Sequence, residues 1–95
     1  MAGNKVEIVL DAKNWGNEAD FYSSYCKATK APEWFGRNLS ALADSFQGGI
    51  CRITPEKIVV RNFKPETKMS LGEEFWADIV EICQEVEVEL VVHSD

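Results

Sequence analysis

Ala31-Pro32-Glu33-Trp34-Phe35-Gly36-Arg37-Asn38-Leu39-Ser40-Ala41-Leu42-Ala43-Asp44-Ser45-Phe46 is the stretch whose reading decides the fold. Pro32 fixes its own φ and disfavours helix at Ala31, so any preceding helix has to stop there. Gly36 permits a sharp turn that other residues resist. Asn38 is a good N-cap, and Leu39, Leu42 and Phe46 follow at i, i+3 and i+7. The stretch therefore predicts a stiff aromatic loop feeding a short amphipathic helix over about 38–46. One face of that helix goes inward. The other shows Arg37, Ser40 and Asp44, with Ser40 and Asp44 one turn apart.

Upstream, residues 5–11 read as a strand, with Val6, Ile8 and Leu10 pointing one way and Glu7 and Val9 the other. Gly16 breaks the chain in a turn, and a helix is expected from about 17 to 29. Asn17 is its N-cap, Asp20 lies in its first turn, and Phe21, Tyr25 and Ala28 form its buried stripe with Tyr22 at the edge. Downstream, Gly48-Gly49 ends the short helix. Residues 50–56 read as connecting loop and 57–62 as a second strand centred on Ile58, Val59 and Val60. Residues 63–68 contain Pro65 and read as loop. Ser70-Leu71-Gly72-Glu73 has the form of a capping box opening a last helix over about 71–85, with Phe75, Trp76, Ile79, Ile82 and Cys83 at helical spacing. Residues 86–93 read as a third strand in which Val88, Leu90 and Val92 alternate with Glu87, Glu89 and Val91.

Strands separated by helical crossovers run parallel, and right-handed crossovers put the helices on one side. A sheet covered on both faces would be apolar throughout, whereas Glu7, Arg61, Glu87 and Glu89 mark one face as wet. The expected architecture is a two-layer α/β fold: a three-stranded parallel sheet with helices packed on one face, in a single domain spanning 1–95.

Ninety-five residues with 45% hydrophobic and 27% charged content suit one modest core that needs neither disulfide nor metal. The formal net charge of −6 argues against direct nucleic-acid binding, which needs clustered Lys and Arg; it suits either a basic partner reached by electrostatic steering or an acidity that only keeps the protein soluble. Cys26, Cys51 and Cys83 are odd in number and widely spaced, so they form neither a disulfide framework nor a CxxC-type metal site; free thiols in a reducing compartment are the simplest reading. The apolar run from Val6 to Leu10 is too short for a signal peptide or a membrane span. A cytoplasmic protein with no membrane association is expected.

Catalysis finds little support. His93, the one histidine, stands near the end of the last strand, and nothing places a cysteine beside it. The acids fall in no recognisable catalytic frame, there is no phosphate-cradling glycine loop, and no ligand cluster suits a metal. Among the tryptophans, Trp76 sits between core positions of the last helix. Trp15 either packs against the first helix or is exposed. Trp34 differs, because it lies beside Phe35 in a loop fixed by Pro32 and Gly36. Two adjacent loop aromatics cannot easily both point inward: either one plugs the core and the other reaches the surface as a binding anchor, or both fold under the loop.

Pro32-Glu33-Trp34-Phe35-Gly36-Arg37-Asn38-Leu39-Ser40-Ala41-Leu42-Ala43-Asp44 resembles the signature of the barstar family, small intracellular inhibitors of bacterial ribonucleases: proline, an acid, two aromatics, glycine, any residue, Asn-Leu, an acid, Ala-Leu, any residue, Asp. The resemblance implies the fold already derived. It also implies a cofactor-free, non-enzymatic monomer that forms a 1:1 complex with a basic ribonuclease. The partner-binding residues it implies are Glu33, Trp34, Phe35, Gly36, Arg37, Asn38, Ser40, Ala43, Asp44 and Gln47, with Glu81 on the last helix as a second acidic contact. Asp44 matches the position of the family's most important acid. Three positions depart from the pattern. Ser40 replaces the first helix acid, Ala43 stands where the best-known member has tryptophan, and Arg37 adds a positive charge near Asp44. A partner different from the barnase type is one consequence. The alternative reading is a barstar-like interaction module regulating a basic protein that is not a ribonuclease. A small enzyme using its acidic residues is the weakest reading.

Overall fold

The structure is a computed structural model that describes residues 6–95. The expected start of the first strand at Lys5 lies outside the described residues. In chain order the elements are β1 (Glu7–Asp11), α1 (Glu18–Thr29), α2 (Leu39–Ser45), β2 (Lys57–Arg61), α3 (Pro65–Leu71), α4 (Glu73–Glu85) and β3 (Glu89–Val92). The sheet order is β1-β2-β3 with both pairs parallel. The expected three-stranded parallel α/β architecture is therefore the one observed.

Alternation along the strands assigns the two faces. Ile8, Leu10, Ile58 and Val60 are buried and join the side chains of the helices in one hydrophobic cluster. The opposite face is built of cross-strand rows. Glu7, Lys57 and Glu89 align in one, and Val9, Val59 and Val91 in the next. Glu7 and Lys57 form an ion pair at 3.8 Å. Asp11 Oδ1 accepts from Asn62 Nδ2 and from the Lys13 amide, both at 2.9 Å, which holds its carboxyl below the usual carboxylate range.

The helix starts follow the caps. Asn17 Oδ1 accepts from the Asp20 amide at 3.1 Å, and α1 then buries Phe21, Tyr22 and Tyr25. Tyr22 is thus core and not edge. Phe21 packs edge-on against Trp15, Tyr22 and Phe75 with centroids 5.3–5.8 Å apart. Such pairs add about 0.5–1.5 kcal/mol each beyond area burial. Trp15 is buried, with Nε1 donating to Ser24 Oγ at 2.8 Å, and Trp76 packs on Phe63 at 4.4 Å.

Three expectations are corrected. Residues 63–68 are not all loop, because Pro65 opens α3. Proline is well placed at a first helical position, where its missing N–H has no intrahelical partner to lose and its fixed φ is already helical. Thr67 Oγ1 accepts from the Lys64 amide at 3.2 Å across the same start. The Ser70–Glu73 capping box does not form. Ser70 still belongs to α3, and Gly72, at φ 99°, is both the end of α3 and the cap of α4. A side chain there would be strained, so glycine divides what reads as one helix into two. The third strand is shorter than 86–93: Val86 ends α4, Glu87 takes φ 60°, and pairing begins at Glu89. Val88 is buried as expected, while Val92 is exposed at the sheet edge.

A hydroxyl relay lies at the centre of the core. Ser45 Oγ donates to the Leu42 carbonyl at 2.6 Å and lies 2.7 Å from Tyr25 Oη. A serine hydroxyl has one proton, so the tyrosine donates. Ser45→Ala strands a buried phenol donor and should cost about 1–3 kcal/mol, whereas Tyr25→Phe removes the donor with its bond and should cost about 1 kcal/mol. Urea denaturation of both variants should rank them in that order.

Burial also pushes the Tyr22 phenol up to about 12 and the Cys83 thiol up to about 11, and raises Tyr25 as well. On unfolding these groups return to ordinary values near 10 and 9 and release protons first. Stability should therefore be full below about pH 9 and fall as pH rises through 11 to 12. Urea midpoints measured from pH 8 to pH 11.5 should decline across the upper part of that range.

Candidate functional site

The candidate site is built where α1 ends. Lys30 adopts a left-handed conformation, φ 55°, and the Ala31 amide caps the helix on the Cys26 carbonyl. Pro32 then leads into a turn closed by the Phe35 amide on the Pro32 carbonyl at 3.0 Å. Of the two arrangements open to the aromatics, the structure shows the split one. Phe35 is buried, its ring 6.5 Å from Tyr25, and Trp34 is 75% exposed. Gly36 brings the loop down onto α2. A Cβ there would sit 2.9 Å from Asn38 Nδ2 and 3.3 Å from the Ala41 Cβ. That proximity, and not a positive φ, is why glycine stands here. Asn38 caps α2, accepting from the Ala41 amide at 2.8 Å.

Along α2, Leu42 and Ser45 face the core, and Phe46, just past its end, packs edge-on against Tyr25 at 6.0 Å. Ser40, Asp44 and Gln47 are exposed, as is Glu33 in the loop, and Ala43 is half-buried. Among the described residues the Asp44 carboxylate has no hydrogen-bond or ion-pair partner. Arg37 does not neutralise it. Arg37 Nη1 donates to Ser23 Oγ on α1 at 2.9 Å, and its charge is felt at Cys26, whose thiol burial pushes up against it. Ser23 was not legible as a site residue. It lies 14 positions from Arg37 in a different element, and no local pattern links them.

Glu81 is exposed on α4, the helix that packs beside α2. It borders a depression walled by α3 and α4, alongside Lys68, Glu73 and Asp78, and no residue of the loop or α2 enters that wall. The candidate residues from Glu33 to Gln47 thus follow one another along the loop and α2, with Phe35 buried among them, and Glu81 stands on the neighbouring helix.

The charges on this surface are placed against helix stability. The α2 first turn has no acid and its last turn no base; Asp44 lies in the last turn and Arg37 just before the cap. Backbone dipoles favour the opposite arrangement by about 0.3–1 kcal/mol per charge at exposed ends. The α2 dipole therefore explains neither charge, although the Arg37 side chain also ties the loop to Ser23 of α1.

Among the described residues no His, Cys, Asp or Glu grouping could hold a metal, and no helix is long and apolar enough to cross a membrane. Cys26, Cys51 and Cys83 are free. His93 is exposed on the open sheet face with Glu7 and Asp95 and has no cysteine among its neighbours there.

Fold and site together define a small α/β protein that presents a short helix face beside a braced aromatic loop. The chain matches the family model Barstar (barnase inhibitor) over residues 6–93, and it belongs to that family. Comparison with the curated proteins gave no significant match.

Since its carboxylate opposes the α2 dipole, Asp44→Asn should leave the melting temperature unchanged or raise it by a degree or more. Thermal unfolding followed by circular dichroism measures this directly.

Proposed function

We propose that the protein inhibits a basic ribonuclease by filling its active site with the exposed face of α2 and the loop before it. The family supports inhibition of a ribonuclease, and the unpaired Asp44 carboxylate carries the reading to these residues. A ribonuclease site gathers Arg, Lys and His to hold phosphate. A carboxylate on a rigid helix takes the phosphate's place, making charge-assisted hydrogen bonds, while Trp34 and the helix body keep RNA out. Rigidity matters because ordering a loop on binding costs affinity. Here Phe35 is sunk in the core and Gly36 rests on the α2 cap, so that cost is met in the free protein. The acidic net charge attracts a basic enzyme from a distance, and the three free thiols fit a reducing, intracellular compartment.

The test is capture of the partner from native lysate and culture fluid, followed by a ribonuclease assay of the recovered protein with increasing inhibitor. Stoichiometric loss of RNA cleavage is expected. A captured basic protein with no ribonuclease activity would instead support a regulatory module for another target. Asp44→Ala should weaken inhibition by about 2–5 kcal/mol, mostly through faster dissociation, because it leaves a buried cation of the partner unpaired. Complexes of this family are themselves among the measured cases behind that range. Association should slow as salt screens the approach, while dissociation changes less. A folded Asp44→Ala protein that inhibits as well as wild type would show that the surface is misplaced.

A further inference from the structure

We infer that Arg37 is a specificity-determining residue, a cation held at the edge of the binding face that selects a partner presenting a carboxylate opposite it. The inference rests on the ribonuclease-inhibitor reading and concerns what that enzyme must look like beside its phosphate site.

Three observations carry it. First, Arg37 is exposed on the binding loop, and its guanidinium is fixed by a neutral acceptor, Ser23 Oγ, at 2.9 Å. That bond occupies one of five donors, so the full charge and most of its hydrogen-bonding capacity remain. Second, the chain supplies no carboxylate for it among the described residues, although the net charge is −6 and acids are plentiful. Third, its place before α2 is the end where the helix dipole repels a cation, so helix stability does not explain the charge.

Asp44 does not cancel Arg37 in the complex either. Asp44 lies six positions beyond Asn38, about 9 Å along the axis at 1.5 Å per residue. That is comparable to the screening length at physiological salt, so the two charges address different groups on the partner. Docking against an uninterrupted basic rim would bring cation against cation as water is removed. Like-charge contact of this kind is how interfaces reject wrong partners. The face is therefore dipolar. It offers an anion from α2 and a cation from the loop, and the enzyme it fits alternates the signs. A guanidinium also suits this task geometrically, since it binds a carboxylate through two parallel N–H donors.

Barnase serves as the probe because its active site is basic. Inhibition of its RNA cleavage is measured for wild type, Arg37→Ala, Arg37→Glu and Ser23→Ala, each first checked for an unchanged melting temperature. Arg37→Glu is expected to inhibit at least tenfold more tightly than wild type, chiefly at low salt, with Arg37→Ala between them. Ser23→Ala, which frees the guanidinium to swing aside, should recover about twofold. Replacing the rim cations of barnase by glutamate one at a time should then identify a position at which wild type overtakes Arg37→Glu. Equal inhibition by wild type and Arg37→Glu, within twofold at low salt, would overturn the inference and leave the inhibitor reading standing. Inhibition of barnase by neither form would also overturn the inference, since removing the cation would then gain nothing, while the inhibitor reading is decided on the enzyme captured from the native lysate.

Discussion

Tyr25 is the point on which the molecule turns. Fully buried on α1, it donates to Ser45 on α2, and its ring lies among Phe21, Phe35 and Phe46. One side chain thereby ties the first helix to the aromatic loop and to the helix after it. A buried phenol without an acceptor is expensive, so the position of Ser45 and hence the rotation of α2 about its axis are specified by a polar contact and not by apolar packing alone. Rotation is what matters for the outer face. With Leu42 and Ser45 inward, Ser40, Asp44 and Gln47 have no choice but to face out. The core and the proposed binding face are two sides of one constraint.

The open sheet face shows how the same chain avoids a second sticky surface. Three valines, Val9, Val59 and Val91, align across the strands in a row that would invite association. The row is bordered by charge of both signs, Glu7, Lys57 and Glu89 on one side and Asp11 and Arg61 on the other. A second copy laid face to face about a two-fold axis parallel to the strands would set Lys57 against Lys57. With the axis across the strands, Lys57 would meet Arg61. The arrangement disfavours self-association while cross-strand attraction stabilises the sheet. Away from this face the large exposed apolar side chains are Trp34 in the loop before α2 and Met69 on α3.

How much of this was legible follows from how local each cause is. The split between Trp34 and Phe35 could be argued from adjacency, and the α2 cap from Asn38, because both depend on neighbours in sequence. The strand faces could be read because charge interrupts one face and never the other. Pro65 misled, since the same residue that breaks a helix interior is favoured at a helix start, and only the following turn tells which applies. Gly72 misled for a related reason: the apolar spacing continues across it, while its backbone, at φ 99°, does not. The Arg37–Ser23 bond was invisible, because it depends on how the loop folds back over α1. Proximity in sequence suggested that Arg37 would shadow Asp44, whereas the turn of the loop hands its guanidinium to Ser23 of α1.

That turn changes what the departures from the family pattern mean. If Arg37 paired with Asp44, the face would simply be a weaker version of an acidic one, short of an acid at Ser40 and of an aromatic at Ala43. With Arg37 fixed to α1, the face keeps its anion unshielded and adds a separate cation. Both charges oppose the dipole of the seven-residue α2, which on the function proposed above is a modest sacrifice of stability at a recognition surface. Stability is supplied where it does not conflict, in the ring cluster around Phe21 and in the capped start of α1. A binding face of alternating sign also discriminates better than one of a single sign, because every basic protein attracts the latter. On the function proposed above, an inhibitor that was only acidic would be held by many basic proteins besides its target. An arginine fixed at its edge is a direct physical way to refuse them.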